Sequence, residues 1–178
     1  MKSWTVATFL AALALMTLTS GSVLAQSIDS RCTANTLVGE YALRVSGQIY
    51  GPNGVIAQQR DGVAMTYFDG DGHLTQVDWV MSNGSPLSGP IDKAGFHTFE
   101  TGTYTLYSDC TGEAEIDLPA PPGVPSGAVI NLMFILSNHG RTIHMIVSQL
   151  TPPGSTIPVP VSIHSDGEKL GLVPDFDD

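Results

Sequence analysis

Basic residues are scarce in this chain. Its 178 residues carry 7 Lys and Arg against 17 Asp and Glu, for a formal net charge of −10. A surface so short of cations offers no footprint to nucleic acid or to anionic lipid, so neither is expected as a partner. Cysteine is scarce too: there are two, and neither sits in a C-x-x-C motif, which argues against redox catalysis. No apolar run reaches the ~20 residues that cross a bilayer, so no stable membrane insertion is expected. The motif-borne chemistries are missing as well. There is no G-x-S-x-G elbow, no P-loop and no Rossmann glycine pattern. There is no H-x-H, H-E-x-x-H or Cys/His cluster, so neither a metal nor a cofactor is expected. No convincing helical period and no fixed-period internal repeat stand out.

What is present begins with a leader. Lys2 precedes an apolar stretch from Val6 to Leu18, and a small-residue region ends at Val23-Leu24-Ala25. That is the layout of a signal peptide over residues 1–25, cleaved before Gln26, and it predicts a secreted or periplasmic protein. Cleavage leaves 178 − 25 = 153 residues and takes Lys2 with it, moving the net charge to −11. A chain of that length suits one domain, expected over residues 26–165 and followed by an acidic flexible tail over 166–178. In an oxidising compartment Cys32 and Cys110 have one intramolecular pairing open to them. It would clip the N-terminal segment to the middle of the chain and stabilise by about 4–5 kcal/mol on the chain-entropy account. An intermolecular bridge and a pair of reactive thiols are the rival readings.

From Leu37 onward the pattern is strands and turns. Tyr41, Leu43, Val45 and Ile49 alternate with Arg44, Ser46 and Gln48, the period of a half-buried strand. Val63, Met65 and Tyr67 share one side of the next segment. Val77, Trp79 and Met81 fall together, opposite Gln76 and Asp78. Gly102–Ser108 is rich in β-formers, and Glu113–Leu118 sets Ala114, Ile116 and Leu118 against Glu113, Glu115 and Asp117. The segments 128–136 and 142–150 are apolar on both faces and must be covered on both. This hairpin is the expected interface of a homo-oligomer, or else a cavity wall. Pro158 and Pro160 deprive one side of the last segment of two donors, which predicts an edge strand or an arm. About eight strands in one domain predict an all-β fold, a single antiparallel barrel with its closure in question, or a sandwich, with one disulfide.

The stretch Phe68–Trp79, FDGDGHLTQVDW, invites a calcium reading. Counted from Asp69 as an EF-hand loop, Asp71 fits, but His73, Leu74 and Val80 fall where a ligand, a glycine and an acid are needed. Asp-Gly pairs between strand-like segments read instead as a hairpin turn. Asn83-Gly84-Ser85 matches a glycosylation sequon, yet Pro86 follows and Asn-Gly is itself a turn signal. His97 and Glu100 attract notice as an acid–base pair, but three residues apart on a regular strand they point to opposite faces. His144, within an apolar run, reads first as a hydrogen-bonded core residue. Arg44 and Glu40 read as a solvated face.

GEYALRVSG (39–47), YFDGDG (67–72) and GTYTLYSDCTG (102–112) together resemble a group of small exported bacterial proteins. These proteins carry a Cys before a G-x-Y strand, an F-D-G-x-G turn and a G-T-Y-T-x3-D-C-T-G hairpin. The resemblance spans roughly residues 32–118 and agrees on the pairing of Cys32 with Cys110. The overall pattern of that group is similar to calycin-like barrels, which include lipocalins and the allene oxide cyclase type. An eight-stranded barrel leaves interior for side chains or one small apolar ligand, with the 128–150 hairpin and Tyr41, Tyr67, Trp79 and Phe134 as the expected lining, or else these residues fill the core. The resemblance suggests the alternative of an isomerase or cyclase acting on an apolar substrate, with His144, Glu100 and Tyr104 as polar candidates. A structural or surface-interaction protein built on the 128–150 hairpin is a third expectation, and the balance leans away from an enzyme.

Overall fold

A computed structural model describes residues 32–171; the expected leader over 1–25 and the final residues from 172 lie outside the described residues. The strands are β1 (Gly39–Tyr50), β2 (Ile56–Phe68), β3 (His73–Ser82), β4 (Ser85–Pro86), β5 (His97–Leu106), β6 (Thr111–Asp117), β7 (Val129–Ser137), β8 (Thr142–Thr151) and β9 (Val161–Lys169). Each of the long strands pairs antiparallel with its neighbours in sequence, and β9 returns to β1. Eight strands therefore close an up-and-down barrel, and β4 is a two-residue extension on β3. The sandwich alternative is excluded by that closure.

Pro158 and Pro160 do not prevent closure, because the last strand starts after them at Val161. The strand also runs beyond the expected domain boundary at Ser165. Asp166–Lys169 pair with β1, Asp166 opposite Arg44 and Glu168 opposite Ala42, so these acidic residues belong to the barrel wall rather than to a tail. Gly47 allows β1 and β9 to come together here. At φ 153°, an added Cβ would lie 2.2 Å from the Ser162 carbonyl oxygen.

Residues opposite one another on neighbouring strands share a face, so one inward residue orients the next strand. Tyr41 is fully buried and opposes Thr66, which places Ala64, Thr66 and Phe68 inside. Val63, Met65 and Tyr67 do share a side, and it is the outer one. In β6 to β8 the inward set is Ala114, Ile116, Leu132, Phe134, Leu136, Ile143 and Met145. The other face of the β7–β8 hairpin carries Met133, Ile135 and Ile146, which are 46%, 56% and 53% exposed.

One end of the barrel is shut. The short helix α1 (Ala34–Leu37) lies across it with Leu37 buried, and Cys32 is bonded to Cys110 in the β5–β6 turn. Tyr41 donates its hydroxyl to the Gly140 carbonyl, and Lys169 Nζ donates to the Thr36 carbonyl at 3.1 Å. Burial pushes the Tyr41 hydroxyl up to about 12, so it stays a donor. Inside, Phe68 meets Tyr41 and Tyr104 edge-on, with ring centroids 5.7 and 5.1 Å apart. The Asp69–Gly72 stretch is the expected hairpin: Asp69 Oδ1 accepts from the Asp71 and His73 amides at 2.7 and 3.0 Å. The connections 51–55, 83–96, 118–128 and 152–160 gather at the opposite end.

Candidate functional site

The interior changes character halfway along the barrel. Around Tyr41, Phe68 and Tyr104 it is aromatic and aliphatic, whereas β2, β3 and β5 carry a polar inward set, Arg60, Thr66, Gln76, Asp78, His97 and Glu100, that runs from Thr66 opposite Tyr41 toward the loop-covered end. Strand alternation explains the first four, since Gln76 and Asp78 lie on the same face as buried Leu74 and Val80.

His97 and Glu100 need a different explanation. On a regular strand they would face opposite sides, yet both are buried and both face the interior. The ladder supplies the reason: Glu100 opposes Gln76 and His97 opposes Asp78, so two steps on β5 are lengthened to three against two on β3. Thr98 and Phe99 absorb the extra residue as a β-bulge. Phe99 sits at φ 66° with its side chain 80% exposed. Bulges re-aim side chains in this way, and a bulky residue in left-handed backbone persists only where its surroundings hold it. The sequence expectation that the two residues could not cooperate is therefore corrected.

The hydrogen bonds form one connected chain. Thr66 Oγ1 donates to Gln76 Oε1 at 2.7 Å, which turns the Gln76 amide so that Nε2 donates to Glu100 Oε2 at 2.8 Å. His97 Nδ1 lies 2.7 Å from Asp78 Oδ1, and Nε2 lies 3.1 Å from the Leu87 carbonyl oxygen. A carbonyl can only accept, so Nε2 carries a proton and Nδ1 is the nitrogen that faces the carboxylates. The 83–96 connection reaches over the ring, with Gly89 so near that a Cβ there would lie 3.2 Å from the imidazole. Arg60 Nη2 donates to Gln58 Oε1 at 2.6 Å, while Arg60 Nη1 is buried with no hydrogen-bond partner among the described residues.

Proton affinities are shifted throughout the cluster. Glu100 is only 2% exposed, and burial, reinforced by the nearby Asp78 charge, pushes its carboxyl up to about 7 against the pull of Gln76 and His97. Burial also raises Asp78, with His97 and Arg60 opposing. Burial alone would lower His97, but its bonds to Asp78 and Leu87 and the charges of Asp78 and Glu100 carry it above the usual imidazole range. Burial lowers Arg60, and Asp78 opposes that. Carboxylate, imidazole and guanidinium thus converge in an otherwise apolar barrel, the setting in which proton transfer, anion recognition or cation binding is chemically available. The ligand-type atoms of Asp78, His97 and Glu100 all lie within 4.8 Å of one another.

Of the residues expected at a site, Glu100 belongs to this cluster. Tyr104 is inside but in the aromatic half, accepting from the Gly70 amide at 2.9 Å and packed on Phe68. His144 is not a core residue: it stands on the outer wall, exposed, with Nδ1 2.6 Å from Asp166 Oδ1 and Nε2 3.3 Å from Ser137 Oγ. Among the expected lumen residues, Tyr41 and Phe134 are in the core, whereas Tyr67 and Trp79 project from the outer wall, Tyr67 43% exposed. Their partners Glu40 and Val63 across the ladder face outward too, which fixes that side. Asp78, Gln76, Thr66 and Arg60 were not singled out from sequence. The one available signal was polar residues in phase with Leu74 and Val80.

No protein-family profile matches the chain, and no curated protein matches its sequence. Among solved structures it is similar to the crystal structure of Rv2717c from M. tuberculosis. The sequence identity is 17% and the TM-score 0.41, over 76% of this chain and 94% of that one. The strand count, order and closure are those of an eight-stranded up-and-down antiparallel barrel.

Proposed function

We propose that the protein is exported and binds a small, largely apolar molecule with a single acidic group. The molecule enters the loop-covered half of the barrel, and Arg60 receives its acidic group. The observation that carries this reading is the buried Arg60 Nη1, which has no acceptor among the described residues. A buried guanidinium nitrogen left unpaired is costly, and an oxygen acceptor brought in by a ligand would satisfy it. Aliphatic side chains around it, including buried Ile49, Val80 and Ile163, suit an apolar body. A cleft lined in part by Gly47, Arg60, Ser162 and His164 reaches the guanidinium, and the 83–96 connection lies over His97. The Cys32–Cys110 bridge suits an oxidising compartment.

Titration with octanoic acid and with its methyl ester tests the reading. The acid should bind, and Arg60→Met should weaken it about tenfold or more, as loss of a charge-assisted hydrogen bond implies, while leaving the ester little changed. Equal binding of acid and ester, or no binding of either, sinks it.

A second reading, isomerisation of an apolar substrate by proton transfer, is favoured by the convergence of Glu100 and His97 on one interior face. It predicts that Glu100→Gln abolishes turnover while the substrate still binds. Turnover retained in that variant rules it out.

A further inference from the structure

We propose that Asp78, His97 and Glu100 form a binding site for one divalent transition-metal ion of the zinc or manganese class. The proposal concerns a neighbouring set of residues to Arg60 and does not depend on the organic ligand proposed above. Three donors of the right chemistry, two carboxylates and one imidazole nitrogen, come from two paired strands, and all three residues are buried. An imidazole donor selects transition ions over calcium or magnesium, which prefer all-oxygen shells.

The surroundings of the donors resemble the outer support that metal ligands need. Leu87 oxygen accepts from His97 Nε2, which fixes the tautomer and leaves Nδ1 turned toward the carboxylates. Gln76 holds one oxygen of Glu100, leaving the other free to coordinate, and Thr66 in turn orients Gln76. Electrostatics completes the argument. Three electron-rich atoms within 4.8 Å of one another, away from water, repel unless positive charge lies among them. Protons can supply that charge, and so can a divalent ion that satisfies all three at once. The bulge at Thr98–Phe99 is what brings His97 and Glu100 into the same set, so the left-handed backbone at Phe99 acquires a purpose.

Isothermal titration calorimetry of the chelator-stripped protein with zinc chloride, and then manganese chloride, tests the site. One equivalent should bind and raise the thermal midpoint. Glu100→Gln and His97→Gln should each lower affinity at least about tenfold, and Gln76→Leu about tenfold through lost orientation. His144→Ala, which removes an exposed imidazole, should leave binding unchanged. If a cluster variant fails to fold, zinc-induced shifts of the imidazole nitrogen resonances in the wild type decide the matter. Movement at His97 supports the site, and movement confined to His144, His164 or His73 overturns it. Absence of stoichiometric binding by folded wild type, or binding that survives both Glu100→Gln and His97→Gln, overturns it as well. No organic ligand is present, so failure here leaves the Arg60 reading standing, and failure of octanoate binding leaves this site standing.

Discussion

Replacing Glu100 by Gln should make the protein more stable at pH 8 and leave it little changed at pH 4.5. The carboxyl titrates near 4.5 when the chain is unfolded and at about 7 in the fold. Below pH 4.5 both states hold the proton and burial of the neutral acid carries no electrostatic cost. Between 4.5 and 7 the unfolded chain ionises first, so stability falls as pH rises. Above 7 the folded carboxylate is ionised too, and the whole cost remains. A difference of roughly 2.5 units at about 1.36 kcal/mol each amounts to about 3 kcal/mol. Glu100 is almost wholly buried, so little of this is lost to solvent screening. His97 and Asp78 are also raised and act in the same direction, which is why the comparison with a Glu100 variant is needed to isolate one group. Gln is nearly isosteric and retains the acceptor for Gln76 Nε2. Urea unfolding followed by far-ultraviolet circular dichroism, at intervals from pH 4.5 to 8 with EDTA present, gives the two curves. They should separate progressively through the window, with the variant the more stable by about 3 kcal/mol at the top relative to the bottom. Parallel curves would refute the reasoning, because they would mean that Glu100 ionises as readily in the fold as in water.

Phe99→Gly should stabilise by about 0.5–1 kcal/mol, since relief of left-handed strain outweighs the entropy of an added glycine and the exposed ring packs little; a loss above about 1 kcal/mol in the same assay would show that the ring does pack. The double change Cys32→Ser and Cys110→Ser opens a cross-link spanning 78 residues and should cost about 4–5 kcal/mol, read from denaturant midpoints of oxidised and variant protein. Gly47→Ala places a Cβ against the backbone of Ser162 and Ile163 where β9 meets β1, and a drop of about 2 kcal/mol or more in unfolding free energy is expected. We propose that the exposed Met133, Ile135 and Ile146 join two copies of the chain. Ile135→Lys should then shift a concentration-dependent dimer to monomer in size-exclusion chromatography, and a wild type that stays monomeric at all concentrations would end that idea.

Much of the barrel was legible in the order of residues, because period-two alternation is a local property and each strand writes its own. Alternation separated the two faces of β1 and β6, and the Asp-Gly and Asn-Gly turns marked where the chain reverses. The two cysteines, with one intramolecular partner each, left a short choice that the fold resolved in favour of their bridge. Alternation separates two faces without saying which of them is inside. Tyr67 and Trp79 belong to apolar sets and still lie on the outer wall, because pairing with β1 and β2 orients their strands and the narrow interior accepts Thr66 and Ala64 there instead. Closure likewise depended on where β9 begins, which is decided by its pairing with β1 rather than by its prolines. The site was the least legible part. One extra residue in β5 is invisible until β3 lies beside it, and that residue alone turns His97 and Glu100 from opposite faces to the same interior. Their shifted proton affinities come from burial and from neighbours on another strand. Local sequence thus decided the strands and turns, and the tertiary structure decided which chemistry they enclose.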